Sequence, residues 1–372
     1  VASIGRPQLA KLMDRARREV DEGLLPSCQI ALGYAGEIVA AETFGDARPG
    51  DRYCIFSATK PFVASTAWTL IAEGSLRVGD PVVEYFPEFG PHEKHRITVE
   101  QVMLHTSGFP HAPMGPPDWF ERLARVRRMA AWKLNWEPGT RYEYHPTSAH
   151  WVLAEVIERV AGRDFRDFVE ERVTRPAGLP RILGIARDRQ SGIRDLRLVG
   201  EHATADELEQ VFGVRALPET EVTDDAVMQF NDGAVRELGV PGGGGFARAV
   251  DLALFYQHLL HDPKGIWDPS VRLDAIGRVR NSLPDPMGVP ANRSLGLILA
   301  GGDGRAHIRG LGRTVSARAF GHNGAGGQLA WADPASGISL GYVTDGYDRH
   351  EIRQPRRGTA ISSIAGACVA NS

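Results

Sequence analysis

A hydroxyl and an amine stand three residues apart in Cys54-Ile55-Phe56-Ser57-Ala58-Thr59-Lys60-Pro61-Phe62. Residues at i and i+3 are neighbours on a helix, so a helix starting here sets Ser57 and Lys60 side by side. That pairing is a nucleophile with a base next to it. A serine hydroxyl is unreactive at neutral pH until a neighbour accepts its proton, and a lysine does so when burial or a second cation disfavours its charge. An arginine does not. The distinction matters because the 43 basic residues include only five lysines, Lys11, Lys60, Lys94, Lys133 and Lys264, and only Lys60 has a serine three positions before it.

The competing reading is a capping serine followed by a solvated lysine. Context weakens it. Pro61 is tolerated only near the first turn of a helix, residues 62–72 are too apolar for a surface helix, and Gly74 ends the run. Ser57 is therefore expected at the start of a buried helix, where free N–H groups and the helix dipole favour a developing negative charge.

Four further segments gain meaning beside such a nucleophile. In Pro138-Gly139-Thr140-Arg141-Tyr142-Glu143-Tyr144-His145-Pro146 a turn leads into aromatic residues. A tyrosine near a lysine ammonium loses its proton more easily and can shuttle protons to and from a serine. In Phe320-Gly321-His322-Asn323-Gly324-Ala325-Gly326-Gly327 the glycines let backbone approach a ligand, and an adjoining strand can offer an N–H to an oxyanion. His105-Thr106-Ser107-Gly108 and Gly242-Gly243-Gly244-Gly245 read as tight turns beside a cleft and name no chemistry of their own. Trp119, Phe120, Trp132 and Trp136 are core candidates that could also line an apolar acyl pocket.

The elements that must position these residues come from both ends of the chain. Residues 6–22 carry apolar side chains at helical spacing. Strand-like runs at 28–34 and 37–44 are joined at Ala35-Gly36, and strand signal returns at 327–332 and 338–344 around the turn at 333–337. Residues 57 to about 260 are mostly helical with long loops; helices are expected at 149–161, from about Ala247, and at 358–370. The pattern predicts an α/β (α+β) fold: one antiparallel sheet built from both chain ends and flanked by helices, with a mostly helical insert. The sheet domain takes residues 1–56 and 290–372, and the helical domain with its active-site loops takes 57–289.

With 372 residues, 42% hydrophobic and 24% charged, the chain is an ordinary globular one. A net charge of −3 gives no reason to expect nucleic acid, and no run reaches the roughly 18 apolar residues of a membrane span. Cys28, Cys54 and Cys368 are spaced for neither a disulfide framework nor a metal site and read as buried thiols. No metal or cofactor is expected. Val1-Ala2-Ser3 opens the chain without a methionine, as in a processed or trimmed chain, and a cytoplasmic location is expected.

Taken in order, Ser57-x-x-Lys60, His105-Thr106-Ser107-Gly108, Pro-Gly-Thr followed by Tyr144, the glycine run and His322-x-Gly324 resemble the serine β-lactamase-like superfamily. The likeness is to the branch holding class C β-lactamases, D-alanyl-D-alanine peptidases and family VIII carboxylesterases, and it runs from about Pro26 to Thr344. The resemblance implies Ser57 as the acylated nucleophile, Lys60 as its proton acceptor and Tyr144 as the partner base. His322 would stand where many members have the lysine of Lys-Thr-Gly, beside Asn323 and Gly324 at the substrate, and the N–H groups of Ser57 and Ala325 would form the oxyanion hole. One departure stands out. Two residues after the tyrosine, where the family often has an asparagine that holds the lysine and a substrate amide, this chain has Pro146.

Both changes favour an uncharged ester over a penicillin or a D-Ala-D-Ala peptide, so the expected activity is a serine carboxylesterase on small esters. D-amino-acid peptidase, β-lactamase and acyltransferase activities belong to the same fold, which cannot choose among them. The reading from another class is a penicillin-binding-like scaffold that has lost turnover.

Overall fold

In the computed structural model, which describes residues 4–217 and 222–369, the period-two runs from both chain ends join in one sheet. β1 (Ser27–Tyr34) and β2 (Glu37–Gly45) form a hairpin. Its turn residues Ala35 and Gly36 have φ of +53° and +87°, the left-handed geometry that a two-residue hairpin turn requires. The chain returns as β3 (Ile298–Leu299), β4 (Phe320–Gly321), β5 (Leu329–Asp333) and β6 (Ile338–Thr344). The order is β2-β1-β6-β5-β4-β3 and every pairing is antiparallel, so the first hairpin docks on the last long strand.

Alternation along these strands sends side chains to two cores. Ile30, Leu32, Leu340 and Tyr342 pack with Leu12, Met13 and Ala16 of α1 (Arg6–Asp21) and with Ile361 and Ala365 of α5 (Arg353–Gly366). Ala31 and Val343 face Leu252, Ala253 and Phe255 of α4 (Ala249–His261). Gly341 is required by that contact: a Cβ there would lie 2.1 Å from the Ala249 carbonyl oxygen. α4 thus lies in the middle of the chain yet packs on the sheet. The same core continues into the helical region through α2 (Lys60–Ala72) and α3 (Ser148–Ala161).

Four boundaries differ from the sequence expectation. The C-terminal helix begins at Arg353 rather than 358, because Arg353 and Arg357 pair with Asp348, and Arg357 also pairs with Glu19 of α1, which draws a polar stretch into the helix. It ends at Gly366 rather than at Ala370, which like the opening Val1-Ala2-Ser3 lies outside the described residues. The strand expected from Gly327 begins at Leu329, since Gly326 and Gly327 take φ of +71° and +103° in a 3-10 turn. The helix expected from Ala247 begins at Ala249, because Phe246 and Ala247 pair with Cys54 and Tyr53 in a short antiparallel ladder. That ladder carries the four-glycine run alongside Ser57. Cys28, Cys54 and Cys368 are buried free thiols, and burial pushes the first two up to about 12 and the third up to about 11. Among the described residues no helix is long and apolar enough to cross a membrane.

Candidate active site

The segment entering α2 is held in an unusual conformation. Phe56 has φ +43°, a region that non-glycine residues seldom occupy, and its ring is wedged between Phe230 (centroids 5.5 Å apart) and Tyr347 (5.8 Å). One 3-10 turn follows (Phe56–Thr59), and the α-helix begins at Lys60. The i, i+3 spacing therefore closes across a 3-10 turn, where such side chains eclipse each other, rather than along the α-helix expected from the sequence. From Tyr53 to Leu70 every residue is buried except Ser57. The helix is a core element that presents one hydroxyl.

Lys60 is fully buried, and its ammonium nitrogen has three acceptors: Ser57 Oγ at 3.0 Å, the Pro146 carbonyl at 2.7 Å and the Gly242 carbonyl at 2.6 Å. The Tyr144 hydroxyl donates to the same Ser57 Oγ at 2.8 Å, and Lys60 Nζ stands 5.1 Å from the Tyr144 ring centroid. Ser57, Lys60 and Tyr144, separate in sequence, are thus one hydrogen-bonded cluster. Pro146 has no side-chain donor, as expected, but its main-chain carbonyl takes over the holding of the lysine. The glycine run supplies the second carbonyl: a Cβ on Gly242 would come within 3.1 Å of the Pro146 oxygen and 3.4 Å of Lys60 Nζ. Gly245 locks the run to the turn by donating to Thr59 Oγ1 (2.9 Å) and accepting from the Ile55 N–H (2.9 Å).

Four histidines surround this cluster. His105 packs on Tyr144 with centroids 4.8 Å apart, His322 stands 5.8 Å from the same ring, and His145 and His150 stand 5.8 and 6.1 Å from His105. All four are buried, and burial pushes each ring below its ordinary value. For His145 the value falls to about 3; for His105 and His322 the positive charge of Arg293 adds to burial, and for His150 that of Lys60. The four rings are neutral in the folded protein. Below pH 6.5 the unfolded chain takes up protons that the folded chain does not, so stability is full above that pH and is lost as pH falls. Denaturation midpoints followed from pH 7.5 to 5 are expected to drop steeply below 6.5, with a slope of at least two protons, about 3 kcal/mol per pH unit. A flat profile would contradict neutral burial of these rings.

The loop after β4 divides its roles differently from the sequence expectation. His322 sits beside Tyr144, with Nδ1 against the Asn323 carbonyl (2.9 Å) and Nε2 without a partner among the described residues. Asn323 is occupied structurally: its amide nitrogen donates to the Gly310 carbonyl and its oxygen accepts from the Ala330 N–H (3.0 Å). The Gly324 N–H is taken by the Gln328 carbonyl at 3.0 Å. What requires a glycine there is proximity, since a Cβ would lie 2.2 Å from the Ile55 oxygen, next to the turn that carries Ser57. Asn323 and Gly324 are thus both engaged in holding the loop. Ala325, with Ser57, lines the adjoining pocket.

That pocket has a volume of about 310 Å³ and is bounded by Phe56, Ser57, Pro113, Met114, Trp119, Pro146, Val227, Phe230, Val240 and Ala325 among others. Among the described residues no ionisable side chain lines it. Of the four aromatics expected as pocket or core, only Trp119 reaches it; Trp132 is buried with its N–H on the Pro113 carbonyl (2.9 Å), and Phe120 is exposed. Two features were not read from the sequence. The carbonyls that cage Lys60 come from residues whose side chains are uninformative, and Arg293, over the Tyr144 ring, belongs to no motif. Only the glycine run hinted at the first.

Comparisons with known proteins agree with this fold. The solved structures of a penicillin-binding protein homologue from Caulobacter crescentus (TM-score 0.79, 23% identity, 98% of this chain and 99% of that one) and of a family VIII carboxylesterase (TM-score 0.78, 23% identity, 97% and 98%) show the same fold. Esterase/beta-lactamase LipL of Mycobacterium tuberculosis (strain ATCC 25618 / H37Rv) is 25% identical over 307 residues, which is 78% of this chain and 68% of that protein. Other curated relatives, esterases and D-alanyl-D-alanine carboxypeptidases among them, match over less than half of their own length. The family model described as Beta-lactamase matches residues 12–362, so nearly the whole chain, sheet and helical insert together, belongs to the Beta-lactamase family.

Proposed function

We propose that this hydrolase of the β-lactamase and penicillin-binding-protein fold is a carboxylesterase acting on small, uncharged, apolar esters through an acyl-enzyme on Ser57. The observation that carries the reading is the pocket beside Ser57, which no ionisable side chain among the described residues lines. A penicillin or a peptide C-terminus brings a carboxylate that such a pocket leaves without a counter-charge, and burying an unpaired charge is costly. His322, pushed toward the neutral form by burial, does not supply one.

In the proposed reaction Ser57 Oγ attacks the ester carbonyl carbon while its proton passes to the basic pair, Lys60 Nζ and the Tyr144 oxygen, both in hydrogen-bond contact with it. The carbonyl oxygen, gaining charge, is received by the N–H groups of Ser57 and Ala325. Tyr144 returns the proton to the departing alkoxide, and water then releases the acyl group by the same steps in reverse. The intact Ser57, Lys60 and Tyr144 contacts argue against a scaffold that has lost turnover.

The test is a side-by-side assay. An acylamino β-lactam loses two anchoring contacts here, one from a side chain at 146 and one from a cation at 322, each worth about 1 to 3 kcal/mol when charge-assisted. A loss of about 2.7 kcal/mol is a hundredfold in rate. Acetyl or butyryl p-nitrophenyl esters are expected to show kcat/KM at least about a hundredfold above nitrocefin. Comparable turnover of nitrocefin would remove the esterase assignment and leave the Ser57 chemistry standing.

A further inference from the structure

Arg293 is buried, yet among the described residues no carboxylate forms an ion pair with it. Its guanidinium carbon lies 5.1 Å from the centroid of the Tyr144 ring and 5.5 Å from that of Tyr142, whose hydroxyl accepts its Nε–H at 2.9 Å. The backbone around it is pinned: Arg293 exchanges main-chain hydrogen bonds with Asn281 (2.8 and 3.1 Å), and the Asn281 side chain donates to the Leu104 carbonyl, next to His105. Arg293 is not among the residues lining the pocket, so it does not meet an acyl group there.

Among the described residues the groups facing Tyr144 include Ser57, Lys60, Arg293, His105 and His322, with Tyr142 against the arginine and Asp285 acting on Tyr142. Both histidines are held neutral by burial. Two cations remain. Lys60 must shed its charge to accept a proton, whereas an arginine stays protonated throughout.

We propose that Arg293 is a positioning residue for the ester hydrolysis: it fixes a permanent positive charge over the Tyr144 ring, so that the phenolate is tolerated whenever Lys60 is neutral. The proposal rests on Ser57 and Tyr144 being the reacting pair. As the Oγ–carbon bond forms, the serine proton passes to neutral Lys60 Nζ, and Lys60 gives a proton to the phenolate oxygen of Tyr144. As the carbon–alkoxide bond breaks, the same proton moves from Tyr144 to the leaving oxygen, and the phenolate charge returns beside Arg293.

The test compares Arg293→Met and Arg293→Lys with the unchanged full chain on p-nitrophenyl butyrate. Arg293→Met is expected to lower kcat about ten- to a hundredfold with KM changed less than about threefold, and to move the acid limb of the kcat/KM profile up by about one pH unit, the scale of an opposite charge lost at this distance. Arg293→Lys, which keeps the charge, is expected to hold that limb within about half a unit. Fluorophosphonate labelling of Ser57 should slow with the same pH displacement. If Arg293→Met does not fold, Tyr142→Phe, which releases Nε, is expected to move the limb in the same direction by a smaller amount. An unmoved limb in a folded variant, with only melting temperature lowered, would reduce Arg293 to a structural residue and overturn the proposal. Absence of Ser57 labelling in the unchanged protein would instead bring down the serine mechanism itself, so the two failures are distinguishable.

Discussion

Ser57→Ala is expected to abolish ester hydrolysis and covalent labelling together, with kcat reduced by at least about ten-thousandfold, because removal of a nucleophile leaves only binding and oxyanion stabilisation behind. The fold should survive. Ser57 is the one residue between Tyr53 and Leu70 that is not buried, so its hydroxyl contributes little packing. Lys60 keeps two of its three acceptors in the variant, the Pro146 and Gly242 carbonyls at 2.7 and 2.6 Å. The change in stability is expected to stay within about 1 kcal/mol. Initial rates on p-nitrophenyl butyrate, fluorophosphonate labelling located by peptide mass spectrometry and a thermal melt measure the three parts. Retention of most activity with a normal melt would sink the assignment of Ser57 and every role derived from it.

The Ser57–Lys60 contact was legible because its signal is local. Serine and lysine at i, i+3, a proline confined to a first turn and an apolar run ended by glycine all lie within one stretch of sequence, and each has a short-range physical meaning. The two-ended sheet was legible for a similar reason, since period-two alternation marks half-buried strands wherever they occur in the chain. What could not be read was main-chain chemistry. Pro146 registers in the sequence as a lost side-chain donor, yet the lysine needs an acceptor, and any residue's carbonyl can provide one. Likewise Gly324 and Asn323 look like substrate contacts from their motif, whereas one is a close approach to Ile55 and the other ties the loop to Gly310 and Ala330. Phe56 carries no sign of its positive φ, because the rings of Phe230 and Tyr347, distant in sequence, hold it there. Arg293 has no local signature either; it matters only through the tyrosines it meets after folding.

The second large effect concerns Lys60, where charge and basicity can be separated. Lys60→Arg is expected to be nearly as damaging as Lys60→Ala, each lowering kcat by about a thousandfold and differing from the other by less than about threefold, within the range general-base removal costs. The cage is built for an ammonium: three acceptors, one hydroxyl and two carbonyls, receive three N–H donors at 2.6 to 3.0 Å, in a space closed by Gly242. A planar guanidinium fits neither that geometry nor the task, since it keeps its proton at every working pH. Lys94 provides the contrast within the same chain. It is also fully buried and also caged, by the carbonyls of Pro91, Ala130 and Trp132 at 2.6, 3.0 and 2.6 Å, and burial brings it down to about 8, but all three acceptors are backbone and none can react. A buried, caged lysine is therefore not sufficient; in the proposed mechanism the serine hydroxyl as third acceptor is what lets the cage serve a base. Single-turnover acylation by a p-nitrophenyl ester, measured on folded Lys60→Arg, decides the point. An arginine variant that acylates at close to the unchanged rate would show that Lys60 serves by its charge alone and that the proton leaves Ser57 through Tyr144.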